Sequence, residues 1–298
     1  MMTTSPMLID GKQQAQNLIN QLTNEVAEFK QCIGITPTLA VVLVGDDPAS
    51  QVYVNNKIKQ TKAVGMDSLA YHLPASVKQE VLIHRIKQLN EDPEVHAILV
   101  QLPLPEHIDS HSVICTIHPD KDVDGFHPTN IGLLTAGKPG IVPCTPLGVM
   151  KLLASVKTDL TGLDAVVIGR SNIVGKPLVH LLMQADCTVT LTHSKTTEIA
   201  HHVKRADIVI AAVGLAHMVR ADWVKPGAVV IDVGINRISR TDGKSQLVGD
   251  VDFAAVSQIA GAITPVPGGV GPMTIACLLA NTLELAKQID QKQVNKAD

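Results

Sequence analysis

The sequence predicts an α/β protein of two domains: an N-terminal αβ domain, then a doubly wound parallel sheet of Rossmann-like type. Three observations predict it. Apolar runs of strand length, such as Thr38–Val44 (TLAVVLV), residues 97–101 (AILVQ) and residues 208–212, mark strands buried on both faces. Segments of helical periodicity separate these runs, the alternation that yields parallel sheets with right-handed crossovers. Three Phe, two Tyr and one Trp in 298 residues leave Val, Ile, Leu, Ala and Met to build the core, which suits a sheet between helices.

The elements follow in order. Asp10 caps a helix on which Ala15, Leu18, Ile19, Leu22, Val26 and Phe29 recur at helical spacing until Gly34 stops it. After the strand Thr38–Val44, Gly45 to Pro48 form a turn, with Asp47 as N-cap and Pro48 in the first helical position. That helix runs to about Val64, and Gly65 ends it. Strand 67–73, a helix around 77–90 and strand 97–101 complete the first half. Prolines at 103, 105, 119, 128, 139, 143 and 146 limit the middle to short helices, and residues 137–146 read as the linker. The alternation then restarts: helix 146–156, strand 165–168, helix 175–184, strand 188–191, helix 197–204, strand 208–212, strand 228–232 and a short strand near 262–264. A last helical pattern, 273–291, is expected to fold back on the first domain, with the polar tail after Gln288 frayed. The expected domains are 1–140, completed by the helix 273–298, and 141–272.

Composition excludes several classes. A hydrophobic fraction of 45% with 18% charged residues supports a packed core. The net charge is −3 and no basic block occurs, so a nucleic-acid partner is not expected. Five cysteines lie far apart without a CxxC pair, which reads as free thiols in a reducing compartment. Residues 1–11 lack the basic and apolar regions of a leader, and the apolar run 208–216 is too short to span a bilayer, so no membrane partner is expected and the cytoplasm is.

The strand 165–168 delivers Gly169-Arg170-Ser171-Asn172-Ile173-Val174-Gly175-Lys176-Pro177 into a helix. Free backbone N–H groups and the helix dipole make such a turn a phosphate site. Ser171 replaces the middle glycine of G-x-G-x-x-G, and taken alone the turn reads equally as a tight βα connection. The end of the next strand, Thr192-His193-Ser194-Lys195, lacks the carboxylate that holds the ribose hydroxyls of NAD. Arg170 and Ser194 could instead hold a ribose 2′-phosphate, favouring NADP; the bland alternative is that His193 and Ser194 merely start a loop.

Tyr53 and Lys57 share one helix face just beyond the carboxyl end of strand 38–44, where open α/β sheets bind ligands. Surface lysine and packing tyrosine remain the alternative. Gln101 ends its strand and points to the same crevice, followed by Leu102-Pro103-Leu104-Pro105. Lys121-Asp122-Val123-Asp124-Gly125 is a turn-rich acidic run; no Asp-rich continuation or downstream Glu completes a calcium loop, and no metal is expected. The densest Pro/Gly segment, 264–274, permits close ligand approach or serves as a connector.

With those segments in place, the chain resembles the bifunctional methylenetetrahydrofolate dehydrogenase/cyclohydrolase (FolD) family over nearly its whole length. The resemblance rests on Tyr53-Val54-Asn55-Asn56-Lys57, Gln101-Leu102-Pro103-Leu104-Pro105, Asp120 to Phe126, Pro143-Cys144-Thr145-Pro146, the 169–177 loop and the 265–274 segment. It implies a homodimer that binds tetrahydrofolate derivatives in a cleft between the domains. NADP-dependent oxidation of 5,10-methylenetetrahydrofolate would be followed by hydrolysis of the methenyl product to 10-formyltetrahydrofolate. It also implies that Lys57 is the central catalytic group with Gln101 beside it, that Tyr53 stacks on the folate, and that Asp124 binds its pterin end. Leu102, Pro265, Gly268 and Gly269 would line the substrate. Gly169, Arg170, Ser171, Gly175, Ser194, Ile235 and Thr274 would take NADP. A monofunctional dehydrogenase is the alternative. A hydroxy-acid reductase or a non-catalytic nucleotide-binding regulator would leave Tyr53, Lys57 and the Pro/Gly segment unexplained.

Overall fold

A computed structural model of the chain describes residues 6–239 and 245–297. The leader reading of residues 1–11 therefore lies partly outside the described residues. The elements in chain order are β1 (Met7–Leu8), α1 (Gly11–Ile33), β2 (Thr38–Val44), α2 (Pro48–Ala63), β3 (Asp67–Leu73), α3 (Gln79–Glu91), β4 (Ala97–Val100), α4 (Ser110–Thr116), α5 (Pro128–Thr135) and α6 (Cys144–Val156). There follow β5 (Asp164–Ile168), α7 (Gly175–Gln184), β6 (Thr188–Thr192), α8 (Ile199–Val203), β7 (Ile208–Ala211), β8 (Val229–Asp232), β9 (Asn236–Ser239), β10 (Ser245–Val248), α9 (Phe253–Val256), β11 (Ala262–Ile263) and α10 (Val270–Ala297).

The chain divides into two compact units, one of residues 17–144 with 275 onward, the other of 145–274 with the segment up to Gln16. In the 17–144 unit a parallel sheet of order β3-β2-β4 is buried along its central strand, all seven residues of which are buried. The helix α2 begins where the sequence places it: the Asp47 carboxylate accepts from the Ser50 N–H (2.8 Å) and Pro48 occupies the first turn. It ends at Gly65, whose φ of +86° continues no helix. The stripe Leu22, Val26 and Phe29 of α1 packs on Val64, Met66 and on Leu279, Leu283 and Ala286 of α10. Each such side chain, taken out of water, contributes about 1.5–3 kcal/mol.

The 145–274 unit holds a six-stranded parallel sheet of order β1-β11-β8-β7-β5-β6 and a small antiparallel hairpin, β9–β10. The order in which strands are added reverses about β5, with β6 on one side and β7 on the other, which makes the carboxyl end of β5 a topological switch point.

The structure adds detail to three expectations. The segment up to Gln16, expected with the first domain, carries β1, which pairs in parallel with β11, and Gly11 lies against the Gly269 carbonyl, leaving no space for a side chain. The stretch 137–146, expected as the linker, is held by close contacts. A Cβ at Gly125 would meet Ile141 O and Pro143 N at 2.9 Å, and α6 already starts at Cys144, with Pro146 in its first turn, where no N–H is missed. The tail after Gln288 stays helical to Ala297, tied by a Lys292–Asp120 ion pair of 2.6 Å. The strand β1 and the hairpin went unread, the first because two residues carry no periodicity.

Candidate active site

The 17–144 unit gathers a polar set at the carboxyl ends of β2 and β4, itself a switch point because β3 and β4 flank β2 on opposite sides. The strand β4 extends by one bond, Gln101 N donating to Val42 O at 2.9 Å, which delivers the Gln101 side chain beyond the sheet. There Lys57 Nζ, from the middle of α2, donates to Gln101 Oε1 at 3.0 Å. Gln101 Nε2 donates to Leu102 O at 2.6 Å. The glutamine amide is thus held with its oxygen toward the lysine. Tyr53, one turn before Lys57, is 41% exposed, in a protein with few aromatics to spare.

Asp124 joins this set electrostatically. Burial pushes its carboxyl up to about 6; the Lys57 ammonium pulls the other way, Asp122 adds to the rise and the Cys144 thiol donates a hydrogen bond that opposes it. Asp124 retains some solvent-accessible surface, so part of that rise is screened. A carboxyl poised near neutrality beside an amine suits proton transfer.

The loop carrying Asp124 is anchored from three directions. The buried Asp122 carboxylate accepts from His127 N and Asn130 Nδ2, each at 2.8 Å. Gly125, at φ +68°, seats on the 141–143 backbone. Asn281 of α10 donates through Nδ2 to Val123 O and Val142 O, both at 2.9 Å. Sequence reading missed Cys144 and Asn281 as members of this region. Cys144, just past the loop, offered a signal in its Pro-Cys-Thr-Pro string; Asn281, 158 residues from Val123, offered none.

In the 145–274 unit, the remaining expected residues fall at the carboxyl ends of parallel strands or in the turns beyond them, except Gly175 and Thr274, which lie in the opening residues of α7 and α10. After β5, Gly169 adopts φ +115° and lies against the Ala212 carbonyl; Gly175 lies against the Gly169 carbonyl. A Cβ at either would fill the turn, so the glycines close the chain around the N-terminus of α7. The Ser171 hydroxyl accepts from Val174 N (3.2 Å) and Gly175 N (3.4 Å), capping α7 where a phosphate could also bind. Ile168 and Thr192 are register partners in β5 and β6, so Arg170 and Ser194, each two residues further on, leave adjacent strands at the same level. Both are exposed and neither has a carboxylate neighbour in sequence. His193 Nδ1 accepts from Lys195 N at 3.1 Å, turning the chain after Ser194.

Ile235, 48% exposed, follows β8. Pro265, Gly268 and Gly269 follow β11, with Gly268 at φ +108° and its amide oxygen accepting from Lys12 N at 3.1 Å. The Thr274 hydroxyl lies 3.0 Å from that of Thr145, so it is already engaged at the start of α10.

Residues 9–124 match the family model described as tetrahydrofolate dehydrogenase/cyclohydrolase, catalytic domain, and residues 143–290 match its NAD(P)-binding domain. A protein of Paramagnetospirillum magneticum named bifunctional protein FolD is 60% identical over 280 residues, 94% of this chain and 95% of the relative. The solved bifunctional FolD methylenetetrahydrofolate dehydrogenase/cyclohydrolase of Campylobacter jejuni is 49% identical with a TM-score of 0.91, covering 95% of this chain and 99% of that one. The Trypanosoma brucei enzyme, solved with NADP cofactor and an inhibitor, is 41% identical with a TM-score of 0.91, covering 96% and 98%.

Proposed function

The chain belongs to the tetrahydrofolate dehydrogenase/cyclohydrolase family, and from that premise we propose that it oxidises 5,10-methylenetetrahydrofolate with NADP and hydrolyses the methenyl product to 10-formyltetrahydrofolate. The observation that carries this reading is the Lys57 Nζ–Gln101 Oε1 hydrogen bond beside the Asp124 carboxyl.

The cofactor fits the residues present: Gly169 and Gly175 shape a turn that any Cβ would fill, at the N-terminus of a ten-residue helix. Gly169, Ser171 and Gly175 would hold the diphosphate, Arg170 and Ser194 the ribose 2′-phosphate, and Ile235 and Thr274 would border the nicotinamide end. When bound, NADP supplies the hydride acceptor. A Glu or Asp after β6 would repel a 2′-phosphate; Ser194 does not.

Tyr53 offers an exposed ring for a flat pterin or benzoyl group to stack on. Asp124 would accept hydrogen bonds from the pterin N–H groups, and Leu102, next to Gln101 in the same unit, would supply apolar lining. For hydrolysis, water must lose a proton as it adds to the methenyl carbon, and a ring nitrogen must gain one as the ring opens. Lys57 does both. Gln101 Oε1 accepts one Lys57 N–H and so fixes how the lysine nitrogen is presented to the reacting water. Gln101 orients without titrating. The lysine–glutamine pair favours the bifunctional enzyme over a monofunctional dehydrogenase, which needs no such proton carrier.

We place the enzyme in the cytoplasm, supported by five cysteines none of which forms a disulfide, and as a homodimer, supported by β3, which among the described residues pairs only with β2 and carries a buried Ser68 hydroxyl without a partner. No helix among the described residues is long and apolar enough to cross a membrane. Absorbance of NADPH and of methenyltetrahydrofolate, followed together, tests the central reading. Lys57→Met should leave methenyl product undecayed; hydrolysis at the wild-type rate would refute the assignment.

A further inference from the structure

Two buried aspartates lie at the carboxyl end of the six-stranded sheet, in segments that mirror each other: Asp232-Val233-Gly234 and Gly249-Asp250-Val251. Asp232 is 3% exposed and Asp250 fully buried. The Asp232 carboxylate accepts from the backbone N–H of Gly234, Asp250 and Val251, each at 2.9 Å. The Asp250 carboxylate accepts from Val213 N (2.7 Å), Gly214 N (3.0 Å), Leu215 N (2.9 Å) and Asn236 Nδ2 (2.8 Å). Each carboxylate also sits where the other segment's glycine would carry a Cβ, Gly249 against Asp232 and Gly234 against Asp250. No lysine or arginine donates to either side chain in the bonds described.

Placing two carboxylates side by side without a cation is costly, so an arrangement of this kind persists where it fixes something. What it fixes is legible from the donors. They come from the turn after β7, the turn after β8 and the segment after β10. Ile235 stands between two of them: the Gly234 backbone N–H donates to Asp232, and the Asn236 side-chain amide donates to Asp250. The residues on either side of Ile235 are therefore both tied to the carboxylate pair, one through its backbone and one through its side chain.

We propose that Asp232 and Asp250 are positioning residues for hydride transfer, setting Ile235 and the 213–215 turn at the level where the nicotinamide end of the nucleotide is received. The proposal rests on the reading of this unit as the NADP-binding one. It separates the two ends of the cofactor: the 2′-phosphate end depends on Arg170 and Ser194, which make no bond to either aspartate in the bonds described.

Asp250→Asn keeps the shape but turns an NH2 group toward backbone N–H donors on one side. Three measurements on the full-length variant decide: affinity for 2′,5′-ADP, dehydrogenase kcat/KM for NADP, and hydrolysis of methenyltetrahydrofolate without nucleotide. We expect unchanged 2′,5′-ADP affinity and hydrolysis, with kcat/KM for NADP reduced roughly a hundredfold, as for an ångström-scale misplacement. Should that variant not fold, Asn236→Ala, which removes a single donor, decides by the same measurements with a loss of about tenfold. Wild-type dehydrogenase kcat/KM in the variant, or a parallel loss of 2′,5′-ADP affinity, would overturn the proposal alone. A wild-type protein that does not bind 2′,5′-ADP would overturn the nucleotide reading, and the proposal with it.

Discussion

Asp124→Asn should make the protein more stable at pH 8 while disabling it. The carboxyl's rise from the ordinary 3.8 to about 6 has burial as its main cause. Between these values the folded chain still holds a proton that the unfolded chain has released, so raising the pH through this window lowers stability. Below it both states are protonated and the difference vanishes; above it both are ionised and the penalty is constant. At about 1.4 kcal/mol for each tenfold change in proton affinity, the full penalty is about 3 kcal/mol. Solvent reaching the half-buried side chain trims this to about 1–2 kcal/mol. The neutral asparagine carries no such cost and can still accept from Cys144. Urea unfolding of both proteins from pH 4 to 8 measures it: the variant's advantage should be absent at pH 4, grow between pH 4 and 6, and stay level above. A variant less stable than wild type at pH 8, or an advantage independent of pH, would refute the reasoning. Lys57→Met, which removes the opposing cation, should extend the upper edge of the window to higher pH and leave its lower edge in place.

Two further substitutions probe the scaffolding of each unit. Gly175→Ala drives a Cβ into the Gly169 carbonyl and should cost about 1–3 kcal/mol, abolishing NADP binding in a titration while hydrolysis of methenyltetrahydrofolate continues. Asn281→Ala strips the donor from two carbonyls, Val123 O and Val142 O, beside Asp124. It should cost about 2–3 kcal/mol by calorimetry and, unlike Gly175→Ala, depress both activities.

Much of the architecture follows from local sequence. The seven-residue run Thr38–Val44 is a strand because no other short element buries both faces, and its bounds in the structure are those of the run. Asp47 and Pro48 start α2 because a carboxylate and a fixed φ satisfy the first turn from within four residues. The glycine turn and α7 (Gly175–Gln184) are likewise short-range matters of sterics. These features depend on neighbours in the chain, and so are written in it.

Other features depend on neighbours in space. Lys57 and Gln101 lie 44 residues apart, and composition alone left Lys57 as an ordinary surface lysine; only parallel pairing of β4 with β2 brings the glutamine oxygen to it. Met7–Leu8 is too short to show a period, yet an open strand edge on β11 makes it part of the sheet. The aspartates 232 and 250 find all but one of their described partners among backbone N–H groups, which every residue but proline possesses, so residue type announces little of the arrangement. Sequence determines which segments can be strands, helices and turns; the folded chain alone decides which backbone atoms a buried carboxylate meets, because that choice is made by packing among elements far apart along the chain.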